Sequence, residues 1–298
     1  MKTIDTLLES YRRQRKTCQI EKMVFTGVGD RDVYNTSTPF ELNHQILIAG
    51  RVEPRDSEQS QTVLFRQVSQ NRFAKIPDFS LALQDPFITQ IDGEILLGGV
   101  QVDWSHDSGP VWRTEFYRLN SDLSTDFLFA GPSKMKDIRL CQLRSGQILV
   151  LTRPQGGQAG AGKIGLVIAQ GMEELCTLDL NTAPLLENNF SEGTWGGANQ
   201  IEQISKNVVY VLGHIARMVG DSNRNYYALS FYIDLEANTI FGERIIAERK
   251  DYLAGPCKRD DLADVVFTSG QIVERDSGKR WLMCGTSDCE EQIIEFYN

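Results

Sequence analysis

The sequence predicts an all-β fold, a five-bladed β-propeller with a short N-terminal helix. Three observations predict it. One pattern returns five times: an apolar strand, a polar turn, a second apolar strand, then a loop and a third strand of alternating or apolar character. The copies recur at roughly 50–70 residues, the spacing of short antiparallel sheets repeated around an axis. After residue 20 no long 3.6-residue apolar periodicity is present, so helices cannot carry the core.

Along the chain, Ile4, Leu7, Leu8 and Tyr11 fall on one face of a short helix. The basic run Arg12, Arg13, Arg15, Lys16 reads as its solvated C-terminal end, where cations suit the helix dipole. Residues 21–28 form a strand candidate. The first copy is PFELNHQILIAGRVE, turning at Asn43-His44, followed by TVLFRQVS. The second is DPFITQIDGEILLGGVQ, turning at Asp92-Gly93, then WRTEFYRLN. Asp-Gly between apolar runs is a strong hairpin signal, because the tight primed turn needs positive φ. The third is IRLCQLRSGQILVLTRP, turning at Ser145-Gly146, then KIGLVIAQ. The fourth is ANQIEQISKNVVYVLGHIA, turning at Lys206-Asn207, then YYALSFYID. The fifth is VVFTSGQIVERDSGKRWLMCGTSD, turning near Asp276-Ser277-Gly278, then EEQIIEFYN. The last strand reaches Phe296, so the strand near Met23 to Phe25 is expected to complete the fifth blade and close the ring. No composition break divides residues 1–298, which read as one propeller domain with 1–20 as a helical extension.

Composition narrows the function. The 298 residues carry 31 Lys and Arg against 40 Asp and Glu, a net charge of -9. A nucleic-acid binder read by bulk charge would be basic, so that class is set aside. No apolar run approaches the roughly 18 residues of a membrane span, and the charged N-terminus lacks an apolar signal core. Six scattered cysteines (Cys18, Cys141, Cys176, Cys257, Cys284, Cys289) form no CxxC pair and read as reduced thiols of a cytoplasmic protein. The three histidines, His44, His106 and His214, lack metal-ligand spacing, so no metal is expected.

One stretch imitates a phosphate-binding loop. Gly157, Gly162 and Lys163 have GxxxxGK spacing, but Ile164 stands where Ser or Thr would hold Mg²⁺. The following KIGLVIA reads as a strand, so the helix N-terminus that would bind the anion is missing. A flexible hairpin loop is expected instead.

The polar residues at the ends of the innermost strands are different. In a propeller those ends crowd around the central channel, so residues distant in sequence converge. They are Asn35, Arg51, Glu53, Asp85, Lys136, Asp137, Arg139, Arg153, Trp195, Asn199, His214, Asp264 and Asp288. Asp85 stands out, because Pro86 and the hairpin behind it hold its carboxylate still. Asp-Pro is also an ordinary turn opener, and many of the others suit turns or surface ion pairs equally well.

In their order, these motifs resemble the five-bladed propeller enzymes of glycoside hydrolase family 130, the β-mannoside phosphorylases. Gln84-Asp85-Pro86-Phe87 resembles that family's acidic hairpin, Arg51 in AGRVE its first-blade arginine, and KDIRL and LTRP its Lys-Asp and Arg-Pro segments. LGHIA resembles its Tyr-His-Gly strand and GTSD its final Gly-x-x-Asp. Gln84 and Phe87 replace the Glu and Arg that flank the catalytic Asp there. These departures, with QDPF and KDIR, resemble glycosyltransferase family 108, the mannosyltransferase-phosphorylases of β-1,2-mannan.

The resemblance implies inverting exchange of a β-1,2-mannoside and phosphate with mannose 1-phosphate. A sugar nucleotide is an additional donor in some members. Manno-oligosaccharides are the implied partners and inorganic phosphate the co-substrate, with no cofactor; a homo-oligomer stays open. Asp85 would be the general acid. Arg139, Arg153 and His214 would hold phosphate, since guanidinium presents a planar fork to it, and Tyr227 would add a hydroxyl. Asn35 and Arg51 would belong to the reacting sugar's subsite. Glu53, Lys136, Asp137, Asn199, Asp264 and Asp288 would orient the cations or bind sugar hydroxyls, and Trp195 would stack on a sugar face. Two other readings stay open. A β-mannosidase would need a second carboxylate facing Asp85, for which Glu53, Glu192 and Asp264 are candidates. A non-catalytic carbohydrate-binding propeller would need neither.

Overall fold

The chain folds mostly as antiparallel β-sheet with few helices, in a computed structural model that describes residues 1–16, 18–274 and 277–296. The helix α1 (Ile4–Gln14) opens it, capped by Thr3, whose Oγ1 accepts the Thr6 N–H at 3.3 Å. Ile4, Leu7 and Leu8 are buried as their spacing requires. The basic end is exposed as expected, and two of its cations also reach across to buried carboxylates. Arg12 donates to both Glu248 oxygens at 3.0 and 2.6 Å, and Arg15 pairs with Asp251 at 2.6 Å. Both carboxylates are buried, so they need cations, and the helix end provides them.

Two short strands follow, β1 (Ile20–Lys22) and β2 (Val24–Thr26). Five meanders then run in chain order. The first holds β3 (Asp32–Tyr34), β4 (Phe40–Leu42), β5 (Gln45–Glu53), β6 (Gln61–Ser69) and β7 (Arg72–Lys75). The second holds β8 (Gln84–Ile91), β9 (Glu94–Asp103), β10 (Val111–Leu119) and β11 (Thr125–Ala130). The third is shorter, β12 (Arg139–Gln142), β13 (Ile148–Thr152) and β14 (Gly165–Ala169), followed by the one-turn helix α2 (Met172–Leu175). The fourth holds β15 (Thr194–Gln203), β16 (Val208–Val219), β17 (Asn223–Asp234) and β18 (Thr239–Ala247). The fifth holds β19 (Val266–Val273), β20 (Arg280–Thr286) and β21 (Glu290–Phe296).

Hydrogen bonding groups these strands into four sheets. The largest joins the fifth meander to the first through one parallel pair, Glu290 with Val33. The expected single strand over 21–28 is broken at the buried Met23. Its first part, β1, pairs with β21 in the last meander, while β2 runs parallel to β7 in the first. The Met23 N–H, bonded to the Glu291 carbonyl at 3.0 Å, holds the crossover.

Turn chemistry fixes the registers. Asn43 and His44 have φ of 51° and 59°, and Asp92 and Gly93 have 52° and 79°. Both pairs adopt the left-handed backbone of a primed turn, whose twist matches the strands it joins. The fifth turn falls partly on Asp276, which lies outside the described residues. Apolar layers fill the spaces between meanders. Phe87, Phe116, Phe129, Ile138 and Val150 make one such layer between the second and third. The strands β5, β8, β12, β15 and β19 lie beside one another in that order, and this brings the polar residues at their ends together. Among the described residues, no helix is long and apolar enough to cross a membrane, and all six cysteines are free.

Candidate active site

The site has two charged halves. Asp85 organises the first. A register shift between Gln84 and Phe87 in the β8–β9 pairing puts Asp85 and Pro86 in a bulge. Pro86 has no N–H to lose there. Asp85 takes φ of 48°. Its Oδ1 accepts from Asn35 Nδ2 at 2.8 Å and from Arg51 Nη1 at 3.0 Å. Burial pushes the Asp85 pKa up, but Arg51, Lys136 and the Asn35 amide outweigh it and hold the carboxyl below its usual range. Arg51 also donates to Glu53 and Ser60, at 3.0 and 2.9 Å, and lies over the Tyr34 ring at 5.0 Å. Glu53 is committed to Arg51, Lys258, Ser60 and Tyr34. Asp288, half-buried beside this cluster, is pushed up to about 6 by burial, with Arg51 opposing and Asp85 reinforcing the shift.

Asp137 organises the second half. Its Oδ2 accepts from Arg153 Nη1 at 3.0 Å and lies 3.9 Å from His214 Nε2. Burial opposes its charge, but Arg153, His214, Lys136 and Arg139 hold it down at about 2. His214 Nδ1 meets Asn199 Oδ1 at 2.8 Å. Burial drives the His214 pKa down to about 3, so the imidazole is neutral. Its Nδ1 proton goes to Asn199, leaving Nε2 facing Asp137. Arg139 donates to the carbonyls of Asn199 and Ile138, at 3.2 and 3.1 Å, and lies 3.9 Å over the Phe87 ring. Phe87 is one of the two departures from the resembled pattern, and its ring carries the guanidinium. Gly98 makes room for it: a Cβ there would stand 2.1 Å from Phe87 Cζ. Gln84, the other departure, donates to the Glu58 carbonyl at 2.9 Å and ties down the 54–60 loop. Lys136 is half-buried and acts electrostatically on Asp85, Asp137 and His214 alike.

Two expected residues stand elsewhere. Tyr227 faces the core with Leu7, Leu8 and Ile215, and its hydroxyl accepts from Asn225 at 3.3 Å. Adjacent strand residues point to opposite faces, so the neighbour Tyr226 stacks on His214 instead, ring centroids 5.7 Å apart. Tyr226 also accepts the Trp195 indole N–H at 3.0 Å. Asp264 is exposed and joins neither half, and its carbonyl accepts the Tyr226 N–H at 3.2 Å. Sequence reading missed Tyr226, Lys258 and Glu291. Strand parity signals the first, while the other two come from the segment before β19 and from β21, where nothing local marks them.

The glycine-rich loop is also placed. Residues Gly157–Ala159 form a 3₁₀ turn, and Gly162, at φ of 144°, closes on Arg153: a Cβ there would lie 2.9 Å from Nε. A cavity of about 140 Å³, lined by Thr38, Phe87, Arg139, Asn199 and Ser269, sits where β8, β12, β15 and β19 face one another. A larger one of about 840 Å³ lies away from these carboxylates, between α1, β18 and β21. The deep charged cluster, with its several convergent polar groups, has the chemistry of a site. Among the described residues, no group of three or more His, Cys, Asp or Glu is placed to hold a metal.

Comparison with known proteins agrees on the kind of molecule. Residues 9–298 match a family described as Protein of unknown function (DUF1861). No curated protein matches by sequence. Among solved structures, MPT-4, a mannose phosphorylase from Leishmania mexicana in complex with phosphate ion, is 32% identical, with a TM-score of 0.90 over 98% of this chain and 92% of that one. MPT-1, a GDP-Man-dependent mannosyltransferase from the same organism, is 27% identical, with a TM-score of 0.90 over 100% of this chain and 95% of that one. A β-1,2-mannobiose phosphorylase from Listeria innocua shares the fold at 14% identity, with a TM-score of 0.61 over 93% and 90% of the two chains. The chain is therefore an enzyme of the DUF1861 family, in the group that holds the Leishmania mannosyltransferases and mannose phosphorylases.

Proposed function

We propose that this enzyme exchanges a β-1,2-mannoside and phosphate with mannose 1-phosphate, with inversion, on a five-bladed propeller whose blades are the five meanders. The observation that carries the reading is an excess of buried positive charge around one carboxylate. Arg153 and Arg139 are 3% and 4% exposed. Arg153 Nε is buried without a partner. Arg139 has no carboxylate within 4 Å among the described residues, and Lys136 adds a further cation. Asp137 offsets them at close range, with Asp85 contributing from the other half. Buried cations are costly without a counter-charge, and a phosphate dianion between Arg139, Arg153 and Lys136 would supply it. The phosphate ion in the similar Leishmania phosphorylase supports this choice of anion.

A phosphate oxygen then attacks C1 from the face opposite the leaving mannoside. The glycosidic C–O bond breaks, and Asp85 gives its proton to the departing oxygen, directly or through a sugar hydroxyl. In synthesis the Asp85 carboxylate takes the acceptor's hydroxyl proton as phosphate leaves. With the site empty, Asp85 is held ionised, the form that synthesis needs. Phosphorolysis needs it protonated, and bound phosphate favours that by cancelling the field of Lys136 and Arg51. Asn35, Arg51, Glu53 and Asp288 would hold the reacting sugar, and Trp195 and Tyr226 the next one. The dependence of MPT-1 on GDP-Man makes a sugar nucleotide the second donor to try.

The test is incubation with mannose 1-phosphate and mannobiose, then the reverse run with inorganic phosphate. Phosphate release with chain extension, and its reversal, is the expected result. Absence of both sinks the reading. Free mannose at a rate indifferent to phosphate points instead to hydrolysis. That second reading needs a second carboxylate free to face Asp85, which its three candidates do not offer. Glu53 is fully engaged, while Glu192 and Asp264 are exposed.

A further inference from the structure

Behind Asn35 lies a buried carboxyl that the reaction above does not use. Glu291, the second residue of β21, is 1% exposed. Its Oε2 accepts the Thr36 N–H at 3.2 Å, and the Asn35 N–H also bears on it. Asn35 takes φ of 46°, a left-handed backbone that costs energy unless its surroundings hold it. Gly285 presses from the other side: a Cβ there would stand 1.9 Å from Asn35 Oδ1. The amide so held is the one that reaches Asp85 Oδ1 at 2.8 Å.

We propose that Glu291 is a positioning residue for Asp85: it clamps the Asn35–Thr36 backbone in the one conformation that aims the Asn35 amide at the catalytic carboxylate. The Thr36 and Ser269 hydroxyls also bear on it. The groups facing Glu291 are Ser269 on β19, the Cys284 thiol on β20, and Asn35 and Thr36 after β3. No cation is among them. Burial accordingly pushes the carboxyl up to about 8.

The inference rests on Asp85 being the catalytic acid–base, so the test separates the two. Glu291→Gln keeps the shape and the neutral charge. Its kcat at pH 7 should stay within about threefold of the parent, with the Asn35–Asp85 hydrogen bond kept in its crystal structure. Glu291→Leu removes the acceptor. Its kcat should fall at least tenfold with the phosphate KM unchanged, and its crystal structure should show the Asn35–Asp85 hydrogen bond broken. A kcat in Glu291→Gln as low as in Glu291→Leu overturns the proposal. So does an intact 2.8 Å bond in Glu291→Leu, whatever the activity. Should Glu291→Leu not fold, the same two measurements on Glu291→Ala decide. Retention of turnover by Asp85→Asn would overturn the catalytic reading alone, leaving the crystallographic result to judge the clamp.

Discussion

Replacing Arg153 by alanine separates what this cation does for the fold from what it does for the substrate. Asp137 is 2% exposed and held at about 2 against 3.8. At about 1.4 kcal/mol per pH unit, that depression contributes about 2–3 kcal/mol to folding. Because the folded pKa is lowered, the contribution is complete above pH 4 and disappears as pH falls through 2. Without Arg153 the carboxylate is buried with its strongest partner gone, a change that costs about 3–5 kcal/mol. In a chain of this size the melting temperature should drop on the order of 10 °C. Adding Asp137→Asn removes the stranded charge and should return most of that stability. If Arg153 also holds phosphate, the double variant stays deficient: its phosphate KM should remain raised at least tenfold, with the acceptor KM nearly unchanged. Thermal unfolding and initial rates at varied phosphate read both quantities. A double variant that regains both stability and the parental phosphate KM would refute a substrate role, and Arg153 would then be only Asp137's counter-ion.

Asp85→Asn should fold normally and lose about 10²–10⁴ in kcat, the usual contribution of a placed proton donor; retention within tenfold removes Asp85 from the chemistry. Gly285→Ala should drive its Cβ into Asn35 and cost about 1–3 kcal/mol in stability, with a kcat loss that Asn35→Ala does not add to. Tyr226→Phe should raise the acceptor KM by releasing Trp195, whereas Tyr227→Phe should leave both KM values alone; equal effects on KM would mean that strand parity has been misread. The stability of the parent should fall as pH rises from about 4.5 to about 8 and level off above it, because the Glu291 pKa is raised on folding. Glu291→Gln should flatten that slope in unfolding measured from pH 6 to 9.

Much of the β architecture was legible because its causes are local. Asp92-Gly93 and Asn43-His44 demand primed turns, and the apolar runs around them supply strands of the right length. The residues of the site were legible as a set for a related reason: polar side chains at the ends of apolar strands are conspicuous. What could not be read is which strand end meets which. The segment near Met23 looks like one strand, and only the competition between β21 and β7 for its edges divides it. Tyr226 and Tyr227 look interchangeable in YYALSFYID, and a one-residue shift decides which touches His214. Lys258 pairs with Glu53 across 205 residues, a contact that no spacing rule reaches. The basic run at the end of α1 is solvated as its charge implies, but its partners Glu248 and Asp251, more than 230 residues away, could not be read from it.

Four of the site's polar residues share a backbone state as well as a chemistry. Asn35, Asp85, Asp137 and Asp288 have φ of 46°, 48°, 60° and 53°. Asn and Asp are the non-glycine residues that tolerate this region best, so their identity is selected twice, by the carboxylate or amide and by the backbone. Regular alternation would send each side chain up or down from its sheet, into the apolar layers between meanders. A left-handed residue breaks the alternation and lets a strand end turn its side chain toward its neighbours. At Asp85 the bulge and Pro86 make the break; at Asn35, Gly285 and Glu291 hold it. This accounts for the clustering of three carboxylates and an amide despite their mutual repulsion, and it yields a ranking. Asp85→Asn should preserve the geometry and lose the proton. Asp85→Glu should keep the charge but lose about 1 kcal/mol or more of stability to a backbone that glutamate resists. An Asp85→Glu enzyme that is as stable and as active as the parent would show that chemistry alone fixes the residue.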